Sequence, residues 1–509
     1  MTEQKNTKHG LTFKDIWKSN LMSGIGVSLI ALPLCLAIAS ASGFPPVSGI
    51  ITAIIGGLFA SLFSGPYITI YGPAAGLIVV NLNTVNTLGG FEYAMAAIAT
   101  AGVLIFVMGH LKIGKLSDFF SSSVVKGMLA SIGVIIIVKQ LFIAFGVSIN
   151  STSMLDSIIQ IPQIFSNINY PIVLISGMSL LILVLHTMIK IKVVQVIPAP
   201  IWVLIAAIIV GNMVQLPAYG SVTLSSDLAG SIKYPDFSKM NSYPFWIAVI
   251  SIAVITSLES LLSATSLDSL DPLKRKTNLN KDLSAIGKDS SLSAAIVGLP
   301  MISEIVRSSA NVSLGEKTQW SNFFHGIFLL LFVLLGGALI NQIPFATLAV
   351  MLIMVGYKLV SPKQFMTIYK MGHVEFITFV STIIGVLLTG LLIGILIGVL
   401  TELTLHYLKY FPISRTFTTR YTILQKPDHV QLNITGGLTF SNYYLSLKKQ
   451  IVSHSSKKDL VIDFTGVTYL SKSAWTKVNN FINSSYRSER RIKMINTDYL
   501  VKQKSVRVV

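Results

Sequence analysis

Long apolar runs separated by short polar loops fill the chain as far as Leu408. Leu21 to Ser40 carries no charge, and Phe44 to Leu88, long enough for two further helices, carries none either. A helix needs about 20 predominantly apolar residues to cross the hydrocarbon core of a bilayer. These runs therefore predict membrane-spanning helices.

The same pattern repeats along the chain, with one or two charges in some of the runs. The further runs cover 94–109, 122–145, 171–189, 196–215, 244–262, 283–299, 322–340, 345–360, 375–389 and 391–408. With short segments opening near 73 and 308, we count about 14 segments. The predicted fold class is an α-helical polytopic membrane protein.

The pattern changes after Leu408. Residues 430–434 alternate like a strand, 460–464 form a short apolar run, 474–482 have helical spacing and 491–495 resemble another strand. Strands that alternate with helices predict a small cytoplasmic α/β domain. The predicted divisions are a cytoplasmic N-terminal segment (1–20), a transmembrane domain (21–408), a linker (409–425) and the α/β domain (426–509).

Composition supports the membrane interpretation. Apolar residues make up 52% of the 509 residues and charged residues 12%, whereas soluble domains average about 25% charged residues. The net charge of +18 would suit a nucleic-acid partner if it formed one surface. Instead the basic residues alternate between loops, and 146–170 contains none.

Cytoplasmic loops carry the excess of Lys and Arg. With Lys18 before the first segment and 274–276 after the eighth, an even segment count places both termini in the cytoplasm. We expect a multi-pass protein of the bacterial inner membrane and no nucleic-acid partner. The single cysteine, Cys35, gives no information about the compartment.

Two interrupted segments indicate a binding site. Gly72-Pro73-Ala74-Ala75-Gly76 opens one short helix, and Gly298-Leu-Pro300 precedes a second that begins near Arg307. Interrupted segments in corresponding halves mark the site in repeat-built transporters. A broken helix leaves unpaired N–H donors and partial positive charge at its N-terminus, which an anion satisfies. Alternatively, Pro and Gly only kink spanning helices.

Two charged residues extend this picture. Glu259 interrupts the apolar run 245–262, and an ionisable group inside a membrane is a functional hypothesis by default. It could bind H⁺ or Na⁺ and so couple a cation to the anion; the alternative is a structural Glu. Arg307 offers planar donors to an oxyanion, or it neutralises Glu304. Hydroxyls of Thr69 and Tyr71 could also donate to the anion.

The sequence resembles the sulfate permease (SulP) family over nearly its whole length, and the 426–509 region resembles a STAS domain through Asp463-Phe-Thr-Gly-Val467. The motifs that carry the resemblance are Ala31-Leu-Pro33, Gly43-Phe-Pro-Pro46, Gly72-Pro-Ala-Ala-Gly76, Ser257-Leu-Glu-Ser-Leu-Leu-Ser263, Asn278-Leu-Asn280 and Gly298-Leu-Pro300 through Arg307 to Asn311.

This resemblance implies two inverted repeats of seven segments, a core domain that moves against a gate domain in an elevator-like cycle, and a homodimer. It implies that an acidic residue at Glu259 couples a cation. It places the anion between two groups of residues: Gly72, Pro73, Ala74 and Ala75 on one side, and Val306, Arg307, Ser308 and Ser309 on the other.

The resemblance also bears on substrate and regulation. It ranks bicarbonate or sulfate ahead of C4-dicarboxylates as substrate. Ser473 matches the phosphorylatable serine of STAS domains, although Ser471 replaces the Asp of that pattern, which weakens a phosphorylation switch.

Several alternatives remain open at this stage. An uncoupled anion channel or exchanger on the same fold would lack a cation role for Glu259, and a nucleobase permease is disfavoured by the STAS-like tail and Arg307. We expect no cofactor beyond H⁺ or Na⁺ as a coupling ion. We also expect no enzyme activity, because the sequence contains no GxxxxGK[ST] motif and no metal-ligand cluster.

Overall fold

A computed structural model gives the fold. It describes residues 13–63, 65–114, 120–148, 154–189, 197–214, 216–217, 220–223, 233–268, 270–316, 318–409, 419–427, 429–438, 442–447, 450–451, 453, 459–470, 474–475, 478–479 and 492–496.

Helices dominate the described residues as far as Lys409. In chain order they are α1 (Phe13–Ala41), α2 (Val47–Ile55), α3 (Ser61–Phe63), α4 (Ile78–Leu88), α5 (Phe91–His110), α6 (Ser122–Phe145), α7 (Met154–Ile159), α8 (Tyr170–Met188), α9 (Ala199–Val214), α10 (Tyr243–Leu267), α11 (Leu279–Ala295), α12 (Ile305–Ser313), α13 (Trp320–Ile340), α14 (Phe345–Leu359), α15 (Pro362–Tyr369), α16 (His373–Thr389) and α17 (Leu391–Lys409).

Six strands accompany these helices in the described part of the chain. They are β1 (Ile70–Pro73), β2 (Met301–Glu304), β3 (Arg420–Gln425), β4 (His429–Leu438), β5 (Asp459–Leu470) and β6 (Ile492–Ile495).

Many of these helices could cross a bilayer. Seven stretches of the described chain are long and apolar enough by length and composition, namely α1, α5, α6, α8, α10, α13 and the α14–α15 stretch Phe345–Tyr369. Five shorter apolar stretches accompany them: Val47–Ala60, Ala75–Leu88, α9, α16 and Leu391–Leu405. The helical membrane class predicted from the sequence is confirmed, whereas the count of about 14 segments stays a prediction.

The chain divides into two compact units. The first comprises Met1–Ser117 and Gly133–Tyr357, and the second Asp118–Ile132 and Lys358–Val509. Both interrupted segments lie in the first unit. This division cuts α6 and places α16 and α17 with the C-terminal strands, so it differs from the predicted boundary near 408.

The two interrupted segments meet as a short antiparallel ladder. β1 pairs with β2 so that Ile70 faces Glu304 and Pro73 faces Met301. Proline has no N–H to continue a helix, so Pro73 and Pro300 stop helix formation close to this ladder. A short extended stretch therefore replaces the middle of each spanning segment.

In the second unit, α16 and α17 form a close helix pair. A Cβ at Gly385 would lie 3.2 Å from Cα of Gly394, and Gly398 lies against the Thr382 side chain. Small residues let two helices approach within a bilayer.

The C-terminal strands form a sheet in the order β3-β4-β5-β6, in which only the β3–β4 pair is antiparallel. The strands predicted near 430, 460 and 491 correspond to β4, β5 and β6. Val430, Leu432 and Ile434 alternate inward to the core of this sheet. The predicted linker is too long, because β3 already begins at Arg420.

Candidate functional site

The two half-helices leave from opposite ends of the β1–β2 ladder. A 3-10 turn at Ala75–Leu77 follows β1 and leads into α4, while α12 follows β2 directly. Because the strands are antiparallel, the two helix N-termini lie at opposite ends of one shared extended segment. Each N-terminus presents backbone donors that its own helix cannot satisfy.

The residues predicted to bind substrate gather around this ladder. Their exposure differs: Gly72, Pro73, Ala74, Arg307 and Ser308 are buried, Ala75 and Ser309 are half-buried, and Val306 is exposed.

The Arg307 side chain reaches across to the other interrupted segment. Its Nη2 donates to the carbonyl oxygen of Pro73 at 2.6 Å, and Nη1 lies 3.5 Å from Sγ of Cys35. Its Nε is 3.7 Å from Oε2 of Glu304, whose carboxylate also accepts the backbone N–H of Arg307 at 2.7 Å. Arg307 therefore lies beside Glu304, as the neutralising interpretation requires, and it also ties α12 to β1. Its donation to an oxyanion stays a prediction.

Glu259 lies against the N-terminus of the first half-helix. Its carboxylate accepts a hydrogen bond from the backbone N–H of Gly76, and a Cβ at Gly76 would collide with both carboxylate oxygens. Oε2 is buried and accepts no hydrogen bond from the described residues. A carboxylate of the chain itself thus occupies donors of the kind that would attract an anion.

Two hydroxyl groups predicted near the anion make hydrogen bonds within the protein. Ser308 Oγ accepts the N–H of Ile70 at 2.9 Å and donates to the carbonyl oxygen of Glu304. Tyr71 donates its hydroxyl to Oδ1 of Asp282 at 2.5 Å. In contrast, Thr69 Oγ1 is buried and has no hydrogen-bond partner within the described part of the chain.

Sequence reasoning missed Asp282, which links four elements. Besides Tyr71 on β1, it accepts from Ser303 on β2 at 3.3 Å and from Ser260 on α10 at 3.4 Å, and it lies on α11. Ser260 in turn accepts the backbone N–H of Ser303 at 3.0 Å. An acidic residue among the small residues of 279–295 was the signal that could have identified it.

Asn311, the last residue of the motif that runs from Gly298, connects three segments. Its Nδ2 donates to the carbonyl oxygen of Ile68 at 3.0 Å, and its Oδ1 accepts from Ser23 on α1 at 2.7 Å. The residue is fully buried. Asn311 therefore fixes α12 to α1 and to the approach of β1.

The remaining predicted positions do not add to this site. Ser473 lies outside the described residues. Within the described residues, no three His, Cys, Asp or Glu side chains gather as a metal-binding group.

Comparison with known proteins supplies the family. The family model described as the sulfate permease family matches residues 17–382. YvdB of Bacillus subtilis (strain 168), named for sulfate transport, is 24% identical over 495 residues, which cover 94% of this chain and 91% of YvdB. The bicarbonate transporter BicA of Picosynechococcus sp. is 24% identical over 68% of this chain and 62% of BicA.

A solved structure gives the same result for the fold. The overall structure of SLC26A9 matches with a TM-score of 0.70 at 14% identity, covering 95% of this chain and 85% of that chain. The family match over 17–382 and the relatives named as transporters make the chain a transporter and not an enzyme. The chain belongs to the sulfate permease family of multi-pass membrane anion transporters.

Proposed function

We propose that the chain is a secondary active transporter that moves bicarbonate or sulfate by symport with H⁺ or Na⁺. The observation that supports coupling between cation and anion is the contact between Glu259 and Gly76. An ionised Glu259 would compete with an incoming anion for the N-terminus of the first half-helix and repel it. A bound H⁺ or Na⁺ neutralises the carboxylate and lets the anion take its place.

The anion is proposed to bind at the two half-helix N-termini, near Gly72 to Ala75 and Val306 to Ser309. Arg307 acts there through the positive field of its guanidinium and through the hydrogen bond that it donates to the carbonyl oxygen of Pro73. Its charge is partly compensated by Glu304 at 3.7 Å. This balance favours a singly charged anion, which supports bicarbonate; the relatives include proteins named for sulfate and for bicarbonate.

We propose further that the transporter has 14 segments in two inverted repeats of seven and a STAS-like domain formed by the C-terminal sheet. It works by an elevator-like alternating-access cycle and forms a homodimer. The protein lies in the bacterial inner membrane with both termini in the cytoplasm. We propose no cofactor other than the coupling ion.

The test is uptake of labelled bicarbonate, sulfate and fumarate into proteoliposomes, each with and without inward H⁺ and Na⁺ gradients. We expect gradient-driven accumulation of bicarbonate or sulfate by the wild type and its loss in Glu259→Gln. Glu92, an acid in the first turn of α5, provides the matched control. Glu92→Gln should accumulate the anion like the wild type.

Each other outcome contradicts a defined part of the proposal. Equal fluxes in wild type and Glu259→Gln, indifferent to both gradients, would show an uncoupled channel or exchanger. Accumulation of fumarate alone would make the protein a C4-dicarboxylate symporter.

A further inference from the structure

Helix α11 carries two buried acids on one face. Asp282 and Asp289 are seven residues apart, which is close to two full turns at 3.6 residues per turn. Both side chains have 0% exposure. Asp282 accepts hydrogen bonds from Tyr71, Ser260 and Ser303. Neither carboxyl oxygen of Asp289 accepts a hydrogen bond from the residues that the structure describes.

This contrast has an energetic consequence. An ionised carboxylate buried without donors or a paired cation costs several kcal/mol or more, and such groups neutralise instead. We propose that Asp289 is a proton-binding site in the interior of the membrane part, separate from Glu259 and occupied in the fold described above. A neutral carboxyl brings its own O–H donor and needs no ionic partner.

The surroundings favour a proton over a metal ion. The three serines that follow Asp289 on the same helix are already engaged: Ser290 Oγ accepts the N–H of Met301 at 3.1 Å, Ser291 Oγ donates to the carbonyl oxygen of Ala99 at 2.8 Å, and Ser293 Oγ donates to Thr52 at 3.1 Å. Metal cations such as Ca²⁺ take six to eight oxygen ligands and Mg²⁺ a full octahedron. Asp289 is not part of any group of three acidic, His or Cys side chains among the described residues.

Of the charged groups around Asp289, the adjacent Lys288 acts on it electrostatically but makes no hydrogen bond to either carboxyl oxygen. Asp289 accepts no hydrogen bond from any described cation. Helix α2 and the π-helical turn Gly56–Ala60 contain no titratable residue. The other titratable groups on α11 and its neighbours are Lys281 and Asp282 on α11, Tyr243 and Glu259 on α10, Glu304 on β2, and Glu92, Tyr93 and His110 on α5.

The proton at Asp289 has a structural consequence. Its removal would place a charge in the interior on α11, the helix whose Asp282 is bonded to Ser303 on β2 and to Ser260 on α10. Conditions that ionise Asp289 are therefore expected to loosen α11 from the scaffold of the site. This effect requires neither anion transport nor a coupling role for Glu259.

Infrared difference spectroscopy of the purified full-length protein at neutral pH tests this proposal directly. Subtracting the Asp289→Asn spectrum from that of the wild type should leave the carbonyl band of one protonated carboxyl group. Asp271→Asn is the matched control. Asp271 is ion-paired with Arg275 at 2.8 Å, so its substitution should remove the carboxylate bands of that one residue and leave the protonated band intact.

The overturning result is a loss of carboxylate bands, and no protonated band, on substitution of Asp289. If Asp289→Asn is not recovered as folded protein, Asp289→Glu replaces it, and the protonated band should shift in frequency but remain. Because neither measurement uses an anion or a gradient, a failure here leaves the symport proposal for Glu259 intact. A failure of that proposal likewise leaves Asp289 untouched.

Discussion

Gly72 and Gly76 occupy positions where the charged side chains of the site take the space that a Cβ would need. A Cβ at Gly72 would collide with Nη1 of Arg307, and one at Gly76 with the carboxylate of Glu259. Each charged group therefore lies directly on the backbone of the interrupted segment. At the residue scale, the site depends on the absence of two side chains as much as on the presence of Arg307 and Glu259.

Gly76→Ala is expected to reduce anion uptake about tenfold or more. The added methyl must displace the end of the Glu259 side chain and so break its hydrogen bond from the backbone N–H of Gly76. A hydrogen bond to a charged group contributes about 1.5–3 kcal/mol. Gly177→Ala on α8 is the control, since no described atom lies within 4 Å of a Cβ there. Proteoliposome uptake at equal protein content measures both variants. Wild-type uptake by Gly76→Ala would contradict the assigned contact.

At the element scale, hydrogen bonds made by side chains join α1, α12 and the approach to β1. Asn311 supplies two of these bonds, to Ser23 and to the carbonyl oxygen of Ile68. Substituting Asn311 by Ala leaves both partners unsatisfied in the interior. Each buried group left without its partner costs about 1–3 kcal/mol.

Asn311→Ala is therefore expected to lower the thermal unfolding temperature of the purified protein and to reduce its uptake. Ser313→Ala, on an exposed position of the same helix, is the control and should change stability by no more than about 0.5 kcal/mol. Thermal unfolding in detergent and uptake in proteoliposomes provide the two measurements. Equal unfolding temperatures for the two variants would argue against the role assigned to Asn311.

The C-terminal sheet contains its own titrating group at the end of the first half of β5. Partial burial raises the pKa of Asp463, but hydrogen bonds from Thr465 and Asn496, and a longer one from Gln431, outweigh it and hold the pKa below its ordinary value. The folded state therefore binds this proton less tightly than the unfolded state does.

The lowered pKa has a defined sign for stability. The contribution of Asp463 is fully present above the unfolded pKa, about 3.9, and is lost as the pH falls through the lower folded value. Asp463→Asn should lack this contribution, so its difference from wild type shrinks on acidification. Limited proteolysis of the C-terminal region between neutral and acidic pH measures this. A difference that grows as the pH falls would contradict the assignment.

At the scale of the whole molecule, the alternation of basic loops predicts which surfaces face the cytoplasm. Cys35, the sole cysteine, is fully buried, so the natural protein offers a low background for thiol labelling. Ser166→Cys should react with an impermeant maleimide on intact cells, because it lies in the loop without basic residues. Lys276→Cys should react only after the cells are opened. The reverse pattern would invert the proposed topology.

Much of this architecture follows from the sequence alone. Apolar runs of about 20 residues dictate membrane helices, because lipid leaves no other way to satisfy the backbone. Pro73 and Pro300 favour the interruptions, because proline lacks the N–H that a helix interior needs, although α1 continues through Pro33. Period-two alternation at Val430, Leu432 and Ile434 fixes a strand, because successive side chains of a strand point to opposite faces.

The tertiary structure alone decided which of these residues meet. Tyr71 and Asp282 are 211 positions apart and Arg307 and Pro73 are 234, and no local pattern encodes a pairing across such separations. Residue type and position in the sequence predict that Glu259 and Arg307 belong to the site. Only the β1–β2 ladder and the packing of α11 showed that Arg307 holds Pro73, that Tyr71 turns to Asp282, and that Asp289 is buried without a donor.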